Sequence, residues 1–561
     1  MVFNISDMAP EIVQVLGHML NHQDAAHLRL TCKRLSEILE SAVLQKITLN
    51  INSANYSNSI PKLRALAAGR WPSAARATTH LSLVCFCPRY EPSRDSTHIV
   101  HNNVGTSENS STGRHDVAEA ERRLKKYLLD AVLALKNVTS ASWLTHKKDE
   151  SWVQETIMKA LKGLPKLASL SIDTTWLQAV LPLQRLQYLR EIRITNAPLS
   201  NEKGFYKTCS NLGKLMARNS HITSLHLDRA RHPELPLRPT DPGSSLHSLL
   251  LSYPSDIDPL RLHHLALRHM FVKLDHITLP HLQHLKSLDL SFMLDPHHRS
   301  SARGNSDTFS SAAEAEHAVG SHIDHIWDAL AKSHIFLEEV TLTTVTPSFL
   351  TYLERYSGLK KISLSSSDFK HSNDSDECGA RFWTSSLLKH SSTIEKLEVD
   401  AVFEGKWSVD EHTLPTITKC SALKSFQVSV LSASLESHAL QRADDFENIV
   451  VHLIDNVSCY LHNLEDLTIS TSLPAHSRGA CHGPSVSTHR QEIEDMIVKQ
   501  LETYVAPPSC RQLPRVATHT YFPKVFIPER VMGRKAKFEP GEWHYRLARG
   551  QEEANMELSS Q

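Results

Sequence analysis

Residues 337–364 read LEEVTLTTVTPSFLTYLERYSGLKKISL and combine a strand pattern with a helix pattern. From Glu339 to Leu342 polar and apolar side chains alternate, which predicts a short strand with one buried face. A helix is predicted over residues 348–356, because Thr346 can cap it and Pro347 suits its first turn. Gly358 is the expected stop signal, since glycine adopts the left-handed conformation at little cost.

The strand pattern of this segment, apolar-x-x-apolar-x-apolar, recurs along the chain. The eleven segments are 167–172 (LASLSI), 189–194 (LREIRI), 222–227 (ITSLHL), 246–251 (LHSLLL), 262–267 (LHHLAL), 285–290 (LKSLDL), 337–342 (LEEVTL), 359–364 (LKKISL), 394–399 (IEKLEV), 423–428 (LKSFQV) and 464–469 (LEDLTI). Several are spaced roughly 20–29 residues apart, as in leucine-rich repeats, and the longer spacings require insertions. The pattern predicts an α/β fold, an irregular leucine-rich-repeat solenoid of strand-helix repeats with parallel strands. An irregular α/β domain with chance matches is the alternative.

Further features complete the predicted organisation. Amphipathic helices are predicted just before strands, at residues 211–218, 323–332, 382–390 and 449–460. Polar stretches predicted as loop insertions occupy residues 88–121, 295–321, 365–380 and 471–490, the first of them a disordered insert. The predicted regions are a helical domain over 5–50, a linking and early-repeat region over 51–165, the solenoid over 166–470, and a C-terminal loop, helix and tail over 471–561.

Composition argues against several functional classes. The 561 residues contain 61 basic and 61 acidic side chains, so no net field attracts a nucleic acid. Aromatic residues, at 6%, are too sparse for a base-stacking platform. The chain has only 18 glycines and no HExxH, GxSxG or GxxxxGK[ST] motif. We therefore expect neither an enzyme nor a cofactor, and no nucleic-acid partner.

Cysteine usage and hydropathy suggest the compartment. The nine cysteines are scattered and odd in number, without a secretory signal, and no apolar run is long enough to span a bilayer. A cytoplasmic or nuclear location without a membrane is expected. The metal-capable residues His476, Cys481, His482 and His489 match no zinc spacing, and Cys85 lies in an apolar run typical of a core, so no metal site is predicted.

Three short helices are predicted in the first fifty residues. The first begins at Pro10 and carries an apolar stripe with helical spacing, namely Ile12, Val15, Leu16, Met19 and Leu20. The second covers residues 24–31 and the third begins near Lys33. Helices this short bury too little apolar surface to be stable alone, so a partner or the repeats must cover part of it.

These helices resemble an F-box. The positions that carry the resemblance are Pro10, Glu11, Ile12, Leu16, Leu20, Asp24, Leu28, Leu30, Cys32, Lys33 and Arg34. An F-box over residues 5–50 ahead of leucine-rich repeats is the usual arrangement in this family, and the irregular repeats resemble those of fungal F-box proteins.

The resemblance implies the substrate-recognition subunit of an SCF-type cullin-RING E3 ubiquitin ligase. Its F-box would bind a Skp-type adaptor, and through it the cullin, while the repeats would bind a protein target whose identity is unknown. The adaptor-facing set would be Pro10, Ile12, Leu16, Leu20, Leu28 and Leu30. Three alternatives stay open: a plain helical cap on the solenoid, a protein-interaction scaffold without a ubiquitin role, and an enzyme with an unrecognised site.

The outward face of the predicted strands is the candidate target surface. Residues at the third, fifth and seventh positions of each strand segment should point outward, and most of them carry hydroxyl groups. This surface suits a polar protein segment, although a merely solvated face would have the same composition. The charged candidates for target binding are Arg193, His226, Asp289, Lys361, Glu398 and Asp466.

Overall fold

The computed structural model describes residues 5, 8–20, 22–91, 111–177, 180–195, 202–229, 243–251, 253–294, 323–366, 372–432, 434–435, 448–474, 477, 484–507, 510, 512–519, 524–530 and 542–548. The chain divides into two compact units, Met1–Leu262 and His263–Gln561, called here the first and the second unit. Both consist of short strands joined mostly by helices.

Within its described residues the first unit contains six strands that pair in chain order, each parallel to the next. They are β1 Lys46–Ile51, β2 His80–Phe86, β3 Ser140–Leu144, β4 Ser169–Asp173, β5 Glu191–Thr195 and β6 Ser224–Asp228. Its helices are α1 Pro10–Met19, α2 His22–Arg29, α3 Lys33–Ile38, α4 Glu40–Leu44, α5 Tyr56–Ala67, α6 Pro72–Ala77, α7 Ser111–Leu133, α8 Ser151–Lys162, α9 Glu202–Arg218 and α10 Leu246–Leu250, with a 3-10 turn at Leu183–Arg185. Parallel neighbours require crossovers, which these helices and the 3-10 turn provide.

In the part of the second unit that the structure describes, eight parallel strands follow one another in chain order, with an antiparallel pair after them. They are β7 His264–Arg268, β8 Ser287–Leu290, β9 Glu339–Leu342, β10 Lys361–Ser366, β11 Lys396–Ala401, β12 Ser425–Val430, β13 Asp466–Thr471, β14 Arg515–His519, β15 Val525–Arg530 and β16 Trp543–Leu547. Its helices are α11 Ile323–Lys332, α12 Pro347–Glu354, α13 Ser372–Arg381, α14 Leu414–Ile417, α15 Ile449–Tyr460 and α16 Pro484–Thr503. Shorter turns lie at Leu279–Leu282, Phe382–Ser386 and Leu387–His390.

The unit predicted over residues 337–364 is confirmed. Strand β9 leads into α12, which Thr346 caps by accepting a 3.4 Å hydrogen bond from the backbone N–H of Phe349. Gly358 follows the helix with φ +110°, a conformation that favours glycine. The apolar face of α12 is buried, so the pattern of caps and apolar residues located both elements.

Ten of the eleven predicted strand segments contain a strand, and the prediction for residues 246–251 is wrong. That segment forms α10 instead, since Ser245 and Ser248 cap its start reciprocally, each hydroxyl accepting a 3.2 Å bond from the other's backbone N–H. Its apolar spacing also fits a helix: Leu246 and Leu249 are buried while Leu251 is exposed. The local cap therefore outweighs the strand pattern.

The boundaries differ from those predicted in several places. Parallel strands occur in both units: β1 overlaps the helical domain predicted over 5–50, β2 and β3 lie in the predicted early-repeat region of residues 51–165, and β14 lies after the predicted solenoid of residues 166–470. The insert predicted over 88–121 contains the start of α7, and that over 365–380 contains most of α13. Residues 295–322 lie outside the described part of the chain. The third N-terminal helix is split into α3 and α4 at Leu39, where the backbone turns out of regular helix.

Membrane insertion was not expected from the sequence. Within the described residues no helix combines the length with the apolar character needed to cross a bilayer.

Candidate protein-interaction surfaces

The N-terminal helices α1–α4 share a small core. Val13 on α1 is fully buried and clusters with Leu35 and Leu39 of the α3–α4 segment, and Leu28 packs against this cluster. Gly17 faces the same side of α1, and a Cβ atom there would collide with the Leu39 side chain. The glycine therefore lets α1 lie close to its neighbours.

Polar contacts also hold these helices in place. The Arg34 guanidinium donates a 3.2 Å hydrogen bond to the backbone carbonyl of Met8, ahead of α1. Arg29 at the end of α2 forms a 3.5 Å ion pair with Glu40 on α4. Such partly exposed contacts contribute little to stability, but they orient the helices relative to one another.

The opposite side of α1 is apolar and exposed. Ile12, Val15 and Met19, spaced i, i+3 and i+7, are 49%, 58% and 77% exposed, and we call them the exposed α1 face. Leu20 just after α1 and Leu30 just after α2 are also exposed, the latter to 82%. Large apolar side chains in a cluster are unfavourable in water, so this face is suited to contact with another protein.

The six residues assigned to adaptor binding are divided by the structure. Pro10, Ile12, Leu20 and Leu30 are exposed, whereas Leu16 and Leu28 are half-buried. The sequence stripe on α1 did not include Val13, the residue of this helix that enters the core. Helical spacing identified a wide apolar arc on α1 but did not indicate which side of it the chain covers.

In the first unit the two target-binding candidates are neighbours. Arg193 on β5 and His226 on β6 are paired in the strand register. Arg193 is exposed and His226 is half-buried, as expected for the polar face of a strand. On the same face Ser169 donates a 2.9 Å hydrogen bond to Glu191, so hydroxyl and charged groups alternate there.

In the second unit the four remaining candidates are all engaged in ion pairs. The pairs are Asp289 with Arg268 (2.6 Å), Lys361 with Glu339 (2.8 Å), Glu398 with Lys396 (2.7 Å) and Asp466 with Arg515 (2.6 Å). Their charges are largely balanced within the chain. A ligand of this face would have to compete with these pairs or bind through the hydroxyl groups between them.

The prediction that seventh-position residues point outward is wrong at four strands of the second unit. Ser291, Thr343, Ser429 and Ser470 are all buried. The hydroxyl groups of Ser429 and Ser470 lie 2.9 Å apart in a hydrogen bond. The chain covers the ends of these four strands, so their polar face is narrower than the alternation suggests.

A basic cavity between α5 and α7 was not anticipated from the balanced overall charge. It has a volume of ≈ 550 Å³ and is lined by Ile60, Pro61, Arg64, Ala65, Arg70, Glu119, Arg122, Arg123, Lys126 and Tyr127. Glu119 forms ion pairs with Arg122 at 2.7 Å and Arg123 at 2.6 Å, which leaves the lining positively charged. Acidic side chains are the complementary ligands for such a cavity.

The sequence contains four metal-capable residues in the polar stretch 471–490. His476, Cys481 and His482 lie outside the described residues, and His489 lies on α16. Cys85 is buried, as predicted. Within the described ranges Cys85, His146 and Asp149 form the one group of side chains close enough together to hold a metal ion.

Comparison with known proteins gives little further information. No protein-family model and no curated protein sequence matches the chain. Among solved structures, the crystal structure of the Rad7 and Elc1 complex in yeast contains a chain that is 11% identical, with coverage of 85% of this chain and 92% of that one. The TM-score is 0.37, and a similarity of that size supports no conclusion about fold or function.

Proposed function

We propose that this protein is the substrate-recognition subunit of an SCF-type cullin-RING E3 ubiquitin ligase. Helices α1–α4 bind a Skp-type adaptor, and the polar strand faces bind a protein target. The protein itself performs no bond chemistry. It raises the concentration of the target near the ubiquitin-conjugating enzyme that the cullin carries.

The exposed α1 face is the observation that carries this proposal. Val13 anchors α1 to its own unit, and Ile12, Val15 and Met19 remain on the opposite side for a partner. A helical cap that only closed the end of the repeats would bury its apolar face on them. The separation of a packed side from an exposed apolar side favours docking of a second protein.

Binding of purified full-length protein to a Skp-type adaptor tests the proposal. We expect Leu30→Ala and Ile12→Ala each to weaken binding by about 1–3 kcal/mol, or roughly 5- to 150-fold in Kd, because both remove exposed apolar area. Isothermal titration calorimetry would measure the change, and circular dichroism would verify the fold of each variant.

Two matched controls lie in the same unit. Leu144 is 46% exposed and Leu251 is 64% exposed, and neither belongs to helices α1–α4. Leu144→Ala and Leu251→Ala should leave adaptor binding unchanged. If the intact chain binds no adaptor, the ligase assignment is wrong and the scaffold alternative takes its place.

A further inference from the structure

The carboxyl ends of strands β2 and β3 bring together three side chains that are distant in sequence. Cys85 is the penultimate residue of β2, while His146 and Asp149 lie in the loop between β3 and α8. One ligand atom from each of the three lies within 4.8 Å of the other two. Because β2 and β3 are parallel neighbours, their carboxyl ends meet at the same edge.

Asp149 is almost completely buried, with 1% of its surface exposed. Its Oδ1 atom accepts a 2.8 Å hydrogen bond from the backbone N–H of Phe86, which fixes the carboxylate beside β2. Its Oδ2 atom is buried and has no hydrogen-bond partner among the described residues. A carboxylate oxygen in that position is unfavourable unless a proton, a water molecule or a cation reaches it.

Cys85 supplies a soft ligand beside this carboxylate. The residue is 3% exposed, and burial raises the pKa of its thiol to about 12, so the thiol is protonated when no cation is near. The backbone of Cys87 lowers this pKa in part.

His146 closes the cluster on its more open side. Its ring packs against Tyr90 with 4.3 Å between the ring centroids. Burial, with a smaller contribution from Lys148, lowers the pKa of His146. Its Nδ1 atom accepts a 3.2 Å hydrogen bond from the backbone N–H of Lys148, and a metal bound at that nitrogen would replace this contact.

We propose that Cys85, His146 and Asp149 bind a Zn²⁺ ion. One thiolate, one imidazole and one carboxylate match the ligand preferences of zinc, whereas Mg²⁺ and Ca²⁺ require oxygen ligands. Three protein ligands leave a fourth tetrahedral position for water or for a side chain of a bound partner. Binding releases the thiol proton of Cys85 to solvent as the Zn–S bond forms, and no oxidant or reductant takes part.

The ion would tie Cys85 on β2 to His146 and Asp149 in the loop after β3, beside the hydrogen bond between Phe86 and Asp149, which spans 63 residues. The inference is independent of adaptor binding, since none of the three ligands lies on helices α1–α4.

Cobalt binding by the full-length protein tests the site. Chelator-treated, desalted protein would be titrated with Co²⁺ alone, whose thiolate complexes absorb in the near ultraviolet, and Zn²⁺ would then be added to displace it. We expect one Co²⁺ per chain and loss of the absorption on addition of Zn²⁺. Cys85→Ser should abolish the thiolate band, and His146→Gln and Asp149→Asn should each weaken binding at least about tenfold.

Cys420→Ser is the matched control, because Cys420 is fully buried and burial likewise raises the pKa of its thiol to about 12. This variant should retain the full cobalt spectrum. His146→Gln guards against loss of folding, because His146 is only half-buried and its replacement should disturb the fold little. The proposal is overturned if the native chain binds no Co²⁺, or if the thiolate band survives in Cys85→Ser.

Discussion

The type of residue that stands just before each strand differs between the two units, although its backbone carbonyl makes the same kind of hydrogen bond in both. Its carbonyl oxygen accepts hydrogen bonds from the start of the next strand, as Thr139 does from Ala168 at 2.8 Å and Lys360 from Glu395 at 2.7 Å. In the first unit the accepting residues are Gln45, Thr79, Thr139, Ala168 and Arg190, and Thr223 precedes β6. In the second unit they include Lys286, Glu338, Lys360, Glu395, Lys424 and Glu465, whose charges alternate in sign.

The alternation in the second unit produces a ladder of ion pairs. Glu338 lies 3.2 Å from Lys286 and 2.7 Å from Lys360, and Glu395 lies 2.8 Å from Lys424. Hydrogen bonds from Lys360 and Lys286 lower the pKa of Glu338, and a hydrogen bond from Lys424 lowers that of Glu395. A strand out of order would place like charges side by side, so the ladder favours the observed sequence of neighbours.

The first unit uses threonine hydroxyl groups at several of these positions. Thr139 donates a 3.3 Å hydrogen bond to the carbonyl of Thr79, and Thr223 a 3.4 Å bond to that of Arg190. The residue before each strand therefore has the same backbone hydrogen bonds in both units. At several positions its side chain makes hydroxyl hydrogen bonds in the first unit and ion pairs in the second.

Substitutions in the core should cause the largest loss of unfolding free energy, and the loss should differ between the two units. Trp327 in the second unit packs against Phe349 at 4.6 Å and Tyr352 at 5.5 Å between ring centroids, while Trp143 in the first unit is equally buried on β3. Each change to alanine should lower the free energy of unfolding by about 3–5 kcal/mol. Trp327→Ala should cost about 1 kcal/mol more because it also loses aromatic contacts. Denaturant unfolding, monitored by hydrogen exchange, measures the loss of unfolding free energy in each variant. Equal losses in the two variants would contradict the aromatic contribution.

A second prediction uses two side chains with the same role. His390 Nδ1 accepts a 3.2 Å hydrogen bond from the backbone N–H of Leu359, and in the first unit Asn219 Oδ1 accepts one of 3.1 Å from Leu189. The other nitrogen of His390 donates to the carbonyl of Leu353, so the neutral imidazole fits this site. Burial lowers the pKa of His390 from 6.5 to about 4.

The sign of the pH effect follows from this shift. Above pH 6.5 the imidazole of His390 is neutral in both the folded and the unfolded chain, so it does not make stability depend on pH. Between pH 6.5 and pH 4 the unfolded chain binds a proton that the folded chain does not. Stability should therefore fall by about 2 kcal/mol between pH 7.5 and pH 5 through this residue. His390→Asn should remove the part of the pH dependence of stability that His390 causes. Asn219→Asp is not an equivalent control, because it introduces a charge. An unchanged pH slope in His390→Asn, measured by urea unfolding, would exclude the assignment.

The ion-pair ladder should give the smallest effect. Lys360→Glu places a carboxylate between Glu338 and Glu395, so the second unit should lose stability at low salt and recover it in about 1 M salt, where screening is strong. Thr139→Glu is the matched control, because its neighbours in the first unit, Thr79 and Ala168, are uncharged. Hydrogen exchange at two salt concentrations measures the difference, and the same salt response in both variants would argue against a ladder.

Elements with local signals were predictable from the sequence. The cap at Thr346, the glycine stop at Gly358 and the alternation in β9 placed a strand and a helix correctly. The helices over residues 323–332 and 449–460 agree with the predicted bounds. Residues 246–251 show the limit of such patterns, since the reciprocal cap of Ser245 and Ser248 turned a strand pattern into a helix.

Site geometry was predictable only in part. The exposed residues Ile12, Leu20 and Leu30 were among those assigned to adaptor binding, yet the buried role of Val13 was not foreseen. The ion pair between Asp466 and Arg515 joins two strands, and its two residues are 49 positions apart in the sequence. Patterns within a few residues contain no information about such contacts.

The order of residues along the chain was sufficient to specify the strand-helix alternation, because strand periodicity, caps and turn residues act over three to seven neighbouring positions. The folded chain was needed to show which side of α1 enters a core, which strand charges are neutralised, and that Cys85 meets His146 and Asp149. These outcomes depend on side chains that approach one another only when parallel strands pair, at separations that no local pattern spans.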